Sequence, residues 1–297
     1  MICLIYRDVW FALVMSSMEL VPPFVNWQWV GQQGPVVLAD ARWYLDGTSG
    51  REAYEAGHLP GAVFVDLDRW LSGPASAEQG RNPLPAPEIF ARGMGQAGIG
   101  DGDVVVAYDD AGGVIAARLV WMLRSLGHQA AVLDGAMTGY PGDLERGAVP
   151  TAPRKFTART WPVEFLADIS ETLADGAVVV DARNRDRFEG RQDPIDPRPG
   201  HIPGAVNVPC RAHLEPDSRL AQPERLRENF RQAGIVSADR VISYCGSGVT
   251  ACHNLLVLEH LGLGKGRLFV GGWSQYGHAN HLPVQTGSSG TSASWST

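Results

Sequence analysis

The chain predicts a two-domain α/β protein, each domain a mainly parallel sheet with helices on both faces. Three observations carry that expectation. At 297 residues the chain is long enough for two domains of ordinary size, each burying its own core. Short β-branched apolar runs alternate with amphipathic stretches such as Ile115–Leu126 and Pro223–Ala233. That alternation winds strands into a parallel sheet with helices on its two faces. Finally, one set of short motifs is written twice.

The duplication can be followed motif by motif. Val36 to Arg42 (VVLADAR) recurs as Val178 to Arg183 (VVVDAR), and Gly57 to Ala62 (GHLPGA) as Gly200 to Ala205 (GHIPGA). Val104 to Asp109 (VVVAYD) matches Val241 to Cys245 (VISYC), and Leu133 to Ala136 matches Phe269 to Gly272. The copies lie roughly 140 residues apart with only small drifts, a tandem duplication rather than a solenoid. The halves are expected over residues 20–145 and 160–285. The linker is placed at Pro141 to Trp161, which is rich in Pro, Gly, Thr and Arg and has no sustained apolar period.

Chemistry is expected at Val241–Asn254. A short buried strand ends at Tyr244, and a helix begins near Ala251 with Leu255, Leu256, Leu258 and Leu261 at helical spacing. Between them stands Cys245, followed by Gly246, Ser247 and Gly248. Glycines let successive N–H groups turn inward, and a helix N-terminus reinforces the resulting anion nest. A sulfur at its centre should be held as thiolate. An isolated cysteine at a strand end is ordinarily a packing residue; strand, glycine-rich turn and helix together reverse that reading. In an open parallel sheet, ligands bind beyond the carboxyl ends of the strands, where Cys245 falls. The first half acts as a control. Asp109 occupies the position of Cys245, and a carboxylate can satisfy an amide nest but cannot carry sulfur. The first half is therefore read as an inactive copy that packs against and walls the site.

Composition bounds the partners. Hydrophobic residues at 44% and charged residues at 19% describe a globular chain without a membrane span. A net charge of −7 argues against nucleic acid and offers no basic patch to a membrane. The four cysteines, at 3, 210, 245 and 252, have neither CxxC nor disulfide-framework spacing, which points to a reducing, cytoplasmic setting. Residues 1–19 read as an N-terminal extension, with Met15 and Met18 as alternative starts. Residues 286–297 read as a disordered tail.

The paired Asp-Ala-Arg strand ends, the paired Gly-His-(Leu/Ile)-Pro-Gly-Ala turns and the Cys-Gly-Ser-Gly-Val-Thr loop resemble the tandem rhodanese-domain sulfurtransferases, over roughly residues 25–285. The loop is similar to that of the 3-mercaptopyruvate branch; the thiosulfate branch typically carries Cys-Arg-Lys-Gly-Val-Thr. The resemblance implies ping-pong sulfur transfer through a Cys245 persulfide, with no metal or organic cofactor. The outer sulfur would rest on the loop amides from Gly246 through Gly248 and Val249 to Thr250. The acceptor would be a thiol such as thioredoxin or a small thiol, or cyanide. The internal duplication already mimics a dimer, so a monomer is expected.

Other site residues follow from the same resemblance. Arg187 matches an arginine that grips the donor carboxylate through paired hydrogen bonds, and Arg198 is the candidate for a second, with Arg191 competing. Ser247 would polarise the donor carbonyl or relay a proton, together with His58 and an aspartate for which Asp46 is the candidate. A histidine repeated at His201 also suits a fold-bracing role. Trp273 would wall the cleft or pack in the core. Cys252-His253 matches no structural zinc spacing, and no metal is expected. A phosphatase would need an arginine in the loop, yet no Arg or Lys lies between Gly246 and Gly264. A non-catalytic scaffold is the remaining alternative, set against an intact cysteine loop.

Overall fold

The computed structural model describes residues 20–191 and 193–288. The expected extension and most of the expected tail therefore lie outside the described residues. Each half forms one five-stranded sheet in which every pairing is parallel. The first contains β1 (Phe24–Val25), β2 (Val37–Asp40), β3 (Val63–Phe64), β4 (Val105–Tyr108) and β5 (Ala130–Leu133), in the order β1-β5-β4-β2-β3. The second contains β6 (Leu166–Ala167), β7 (Val178–Asp181), β8 (Val206–Asn207), β9 (Val241–Tyr244) and β10 (Arg267–Phe269), in the equivalent order β6-β10-β9-β7-β8. The central strands β4 and β9 are buried at every position, as expected of strands covered on both faces.

The repeated motifs prove to be braces. In each half the Asp-Ala-Arg arginine folds back on its own aspartate, Arg42 Nη2 on Asp40 Oδ2 and Arg183 Nη2 on Asp181 Oδ2, both at 2.7 Å. The same nitrogens donate to the carbonyls of Gly57 and Gly200, again at 2.7 Å, tying the strand end to the Gly-His turn. The tyrosine that ends the central strand receives the N–H of the residue after the histidine, Leu59 on Tyr108 Oη and Ile202 on Tyr244 Oη. The repeated motif thus locks β2 to β4 and β7 to β9 through side chains, beyond the ladder itself.

The halves share a core. Helices Ala117–Ser125 and Ala251–His260 pack on each other, and one cluster of buried apolar side chains runs through both sheets. Arg124 forks onto Glu259 across this contact at 2.7 and 3.2 Å. Residues 141–162 contain no helix or strand, but they are not a loose tether. Thr157 binds Asp101, Arg159 donates to Leu126 O, and Trp161 Nε1 donates to Pro85 O. The link lies along the first half.

Two buried histidines in the second half set a pH limit on stability. His213 and His253 lie with ring centroids 6.0 Å apart. Burial pushes His213 down to about 3 and His253 well below its ordinary value. Both are neutral when folded and free to protonate when unfolded, so the unfolded chain binds more protons below about pH 6.5. Stability is whole above that pH and falls as pH drops, by about 1 kcal/mol per pH unit for each ring. Urea unfolding midpoints measured from pH 7 to pH 5 should fall steadily; a flat profile would contradict the assignment.

Candidate active site

The order in which strands are added to the second sheet reverses between β7 and β9: β8 lies on one side of β7, and β9 and β10 on the other. A crevice opens at such a switch point beyond the strand ends. Arg183 leaves β7 there and Cys245 leaves β9. A cleft of about 560 Å³ sits over them. Its walls come from both halves, with Trp43, Tyr44, Asp46, Arg81 and Asp110 from the first and Arg187, Arg211, Cys245, Gly246, Ser247, Val249 and Thr250 from the second.

Cys245 is 3% exposed and faces this cleft. Its carbonyl is held by Trp273 N at 2.8 Å, and the carbonyl of Gly246 by Ser274 N at 2.8 Å. Gly248 has φ +74°, and a Cβ there would stand 2.4 Å from Val270 O, so glycine is required on two counts. The matching turn of the first half gathers backbone amides on a carboxylate. Asp109 accepts from Ala111 N, Gly113 N and Ile115 N at 2.7 Å and from Ala116 N at 2.8 Å. Burial pushes that carboxyl up and the four donors pull it back. The same strand–turn–helix frame holds Cys245 in the second half, two positions shorter, with helix Ala251–His260 starting behind it.

Of the described cysteines, Cys210 and Cys252 are buried and pushed by that burial to about 11 and about 12. Both stay protonated near neutrality. Arg118, on the first half's helix Ala117–Ser125, is wholly buried and donates to Gly248 O (3.2 Å), Leu71 O (3.2 Å) and Asn82 O (3.0 Å). Among the described residues it has no carboxylate partner. Burial lowers its pKa, and the neighbouring Cys252 and Cys245 sulfurs oppose that shift. A guanidinium buried without a counter-ion is costly, and this one lies next to the cysteine loop.

The candidate residues separate cleanly. Cys245, Ser247 (6% exposed), Gly246, Val249, Thr250, Arg187 and Asp46 line the cleft. Gly248 shapes the loop from behind. His58 is not brought there: it is wholly buried, bonds the Tyr54 carbonyl through Nδ1 at 2.8 Å and stacks on the Tyr54 ring at 3.9 Å. His201 repeats this arrangement on Phe188, at 2.7 and 3.6 Å. The placement corrects the catalytic reading of His58 to a brace under the Gly-His turn. Arg198 is likewise corrected. Its guanidinium donates to the carbonyls of Gly277, Leu282, Tyr276 and Ala279 at 2.9–3.0 Å, which binds the C-terminal segment and leaves it outside the cleft. Arg191 pairs with Asp186 and Glu189 at the surface. Trp273 is core, stacked on Tyr276 with Arg183 over its ring at 4.8 Å.

Sequence reasoning passed over Arg81, Arg118, Arg211 and the Tyr44–Asp110 pair, whose hydroxyl donates to the carboxylate at 2.5 Å. Burial and Asp110 push Tyr44 up to about 12. Arg118 left a readable signal, a lone cation inside the apolar run Val114–Leu123; Arg81 left none. Among the described residues no group of three or more His, Cys, Asp or Glu side chains is placed to hold a metal, and no helix is long and apolar enough to cross a membrane.

A cleft cysteine at the switch point of the second of two copies of one α/β domain places a thiol where such folds bind their ligands. The chain belongs to the rhodanese-like family, whose domain matches residues 27–142 and 165–279. It is 36% identical over 266 residues to a probable 3-mercaptopyruvate sulfurtransferase of Pseudomonas aeruginosa, covering 85% of this chain and 93% of that one. It is also 36% identical to a putative thiosulfate sulfurtransferase of Mycobacterium tuberculosis, over 85% and 92% of the two chains. The solved 3-mercaptopyruvate sulfurtransferase from Leishmania major superposes with a TM-score of 0.77 at 32% identity, over 86% of this chain and 74% of that one.

Proposed function

We propose that the chain is a sulfurtransferase that takes sulfane sulfur from 3-mercaptopyruvate onto Cys245 and passes it to a thiol or to cyanide. The supporting observation is the pairing of a cleft cysteine with Arg187 across a loop, Gly246-Ser247-Gly248, that carries no cation of its own. The Cys245 thiolate attacks the donor sulfur. The S–S bond forms as the donor's C–S bond breaks, and that electron pair becomes the enolate of pyruvate. The donor's thiol proton ends on the enolate carbon, leaving pyruvate and an anionic persulfide. Ser247, on the cleft wall, donates to the developing enolate oxygen, and Arg187 holds the carboxylate. The loop N–H groups receive the outer sulfur, as their counterparts receive the carboxylate of Asp109. An acceptor thiolate then attacks that sulfur, the S–S bond breaks, and Cys245 leaves as thiolate. No electrons enter or leave the cycle.

Arg118 takes part as the fixed cation beneath the loop. With Cys210 and Cys252 protonated, it is left to answer the negative charge that forms on Cys245 during transfer. Thioredoxin, a small thiol or cyanide suits a persulfide facing an open cleft, and the duplicated fold works as a cytoplasmic monomer. Comparing kcat/KM for the two donors tests the substrate. The expected result is a preference for 3-mercaptopyruvate of about tenfold or more, since a dianion lacks the loop cations it would need. A clear preference for thiosulfate would overturn the choice of donor.

A further inference from the structure

The cleft over Cys245 opens into a second space. A hollow of about 700 Å³ adjoins it, and Ala111 and Arg211 line both. The rest of the hollow is Leu214, Glu215, Pro216, Ser218 and Arg225, all from the second half. Arg211 therefore stands at the junction, on the short helical turn Cys210–His213 that follows β8. It is exposed, and among the described residues its guanidinium makes no ion pair and no hydrogen bond. Arg225, the hollow's other cation, is already paired with Glu215 at 3.0 Å. In a chain of net charge −7, the hollow thus keeps one cation unanswered, at the end nearest the nucleophile.

Both walls of the junction are held in place. On one side Cys210 N donates to Ala182 O at 3.0 Å and Asn229 Nδ2 to Ala212 O at 2.9 Å, so the residues flanking Arg211 are pinned. On the other, Ala111 N is fixed on Asp109 Oδ1 at 2.7 Å. The aspartate that stands where the second half has its cysteine therefore secures this wall. The next residue, Gly112, has φ +77°, and a Cβ there would stand 2.5 Å from Leu214 Cδ1 and 3.0 Å from Ser218 O. Glycine lets the first half close against the hollow's rim. Leu220 N adds a bond to Asp134 Oδ1 at 2.7 Å across the same seam.

We infer that this hollow is the acceptor subsite, and that it takes a small thiol bearing a carboxylate, with the carboxylate on Arg211 and the body over Leu214 and Pro216. The inference rests on the persulfide reading above and deepens it by naming the class of acceptor. Arg187 is tied to Asp193 and Asp196, whereas Arg211 is free to pair with what arrives. In a ping-pong cycle the keto acid has left by then. The acceptor thiol gives its proton to solvent, and its thiolate attacks the outer sulfur. A new S–S bond forms as the bond to Cys245 breaks, and that electron pair stays on Cys245 as thiolate. The acceptor leaves as its own persulfide through the open hollow.

The test uses the full chain loaded with sulfur from 3-mercaptopyruvate or thiosulfate and freed of the donor. The persulfide is then discharged by glutathione or by glutathione diethyl ester, which has the same thiol and no free carboxylate. In Arg211→Ala the glutathione concentration giving half-maximal discharge should rise about fivefold, as one partly solvated ion pair supplies. Arg211→Glu should raise it further, and for the ester neither variant should raise it. Urea midpoints matching the wild type would show that both variants fold. Equal rises for both thiols, or none for glutathione, would overturn the inference. A rise seen with thioredoxin and not with glutathione would overturn it too, in favour of a protein acceptor. A wild-type enzyme that takes up no sulfur would defeat the persulfide reading before any acceptor is added, so the two failures are told apart.

Discussion

Cys245→Ser is expected to lower kcat/KM for sulfur transfer by about a thousandfold or more, with the fold intact. The substitution removes one polarizable atom and leaves the surrounding geometry alone. The loop is fixed by backbone contacts, Trp273 N on the Cys245 carbonyl and Ser274 N on the next, and by the glycine required at 248. None of these involves the sulfur. A serine hydroxyl is a poor nucleophile near neutrality and cannot become a persulfide, so both half-reactions are lost together. Unfolding curves should overlay those of the wild type, which separates lost chemistry from lost structure. Turnover that survives the substitution would mean that sulfur travels by another route.

The second large effect is expected at Arg118, far from Cys245 in sequence. Arg118→Met removes a buried guanidinium that has no carboxylate partner among the described residues and reaches the loop through Gly248 O. In a water-poor interior a single nearby charge acts strongly on an anion. Alkylation of Cys245 by iodoacetamide at pH 7 should slow by about tenfold, and kcat/KM should fall by about 100-fold. Arg118→Lys keeps the charge and should recover most of the alkylation rate. Equal losses in both variants would show that the guanidinium's three hydrogen bonds to carbonyls matter and its charge does not. Because Arg118 belongs to the first half, the copy without a nucleophile would then be seen to serve the reaction as well as wall the cleft.

The sheets were legible because their signals are local and duplicated: strand runs, Asp-Ala-Arg ends and Gly-His turns all sit within short windows. Cys245 and Asp109 were legible for the same reason, since strand, turn and helix adjoin in sequence. Repetition also marks the limit. A residue present in both copies serves what both copies share, which is the fold. His58 and His201 brace the same turn, and Arg42 and Arg183 the same strand end. Arg198 was misplaced because the segment between Arg187 and Gly200 folds so that Asp196, not an arginine, meets Arg187. Arg81, more than 100 positions earlier, reaches the same Asp196 that pairs with Arg187. No periodicity or spacing within one half could bring those two together, because their meeting is set by the packing of one half on the other.

The claim on which the rest depends is that sulfur is carried on Cys245. Peptide mass spectrometry of the protein after treatment with 3-mercaptopyruvate and removal of the donor measures this directly. One added sulfur on the Cys245 peptide, none on the peptides of Cys210 and Cys252, and its disappearance on adding an acceptor thiol is the predicted result. An unmodified Cys245 in a preparation that turns over the donor would contradict the account.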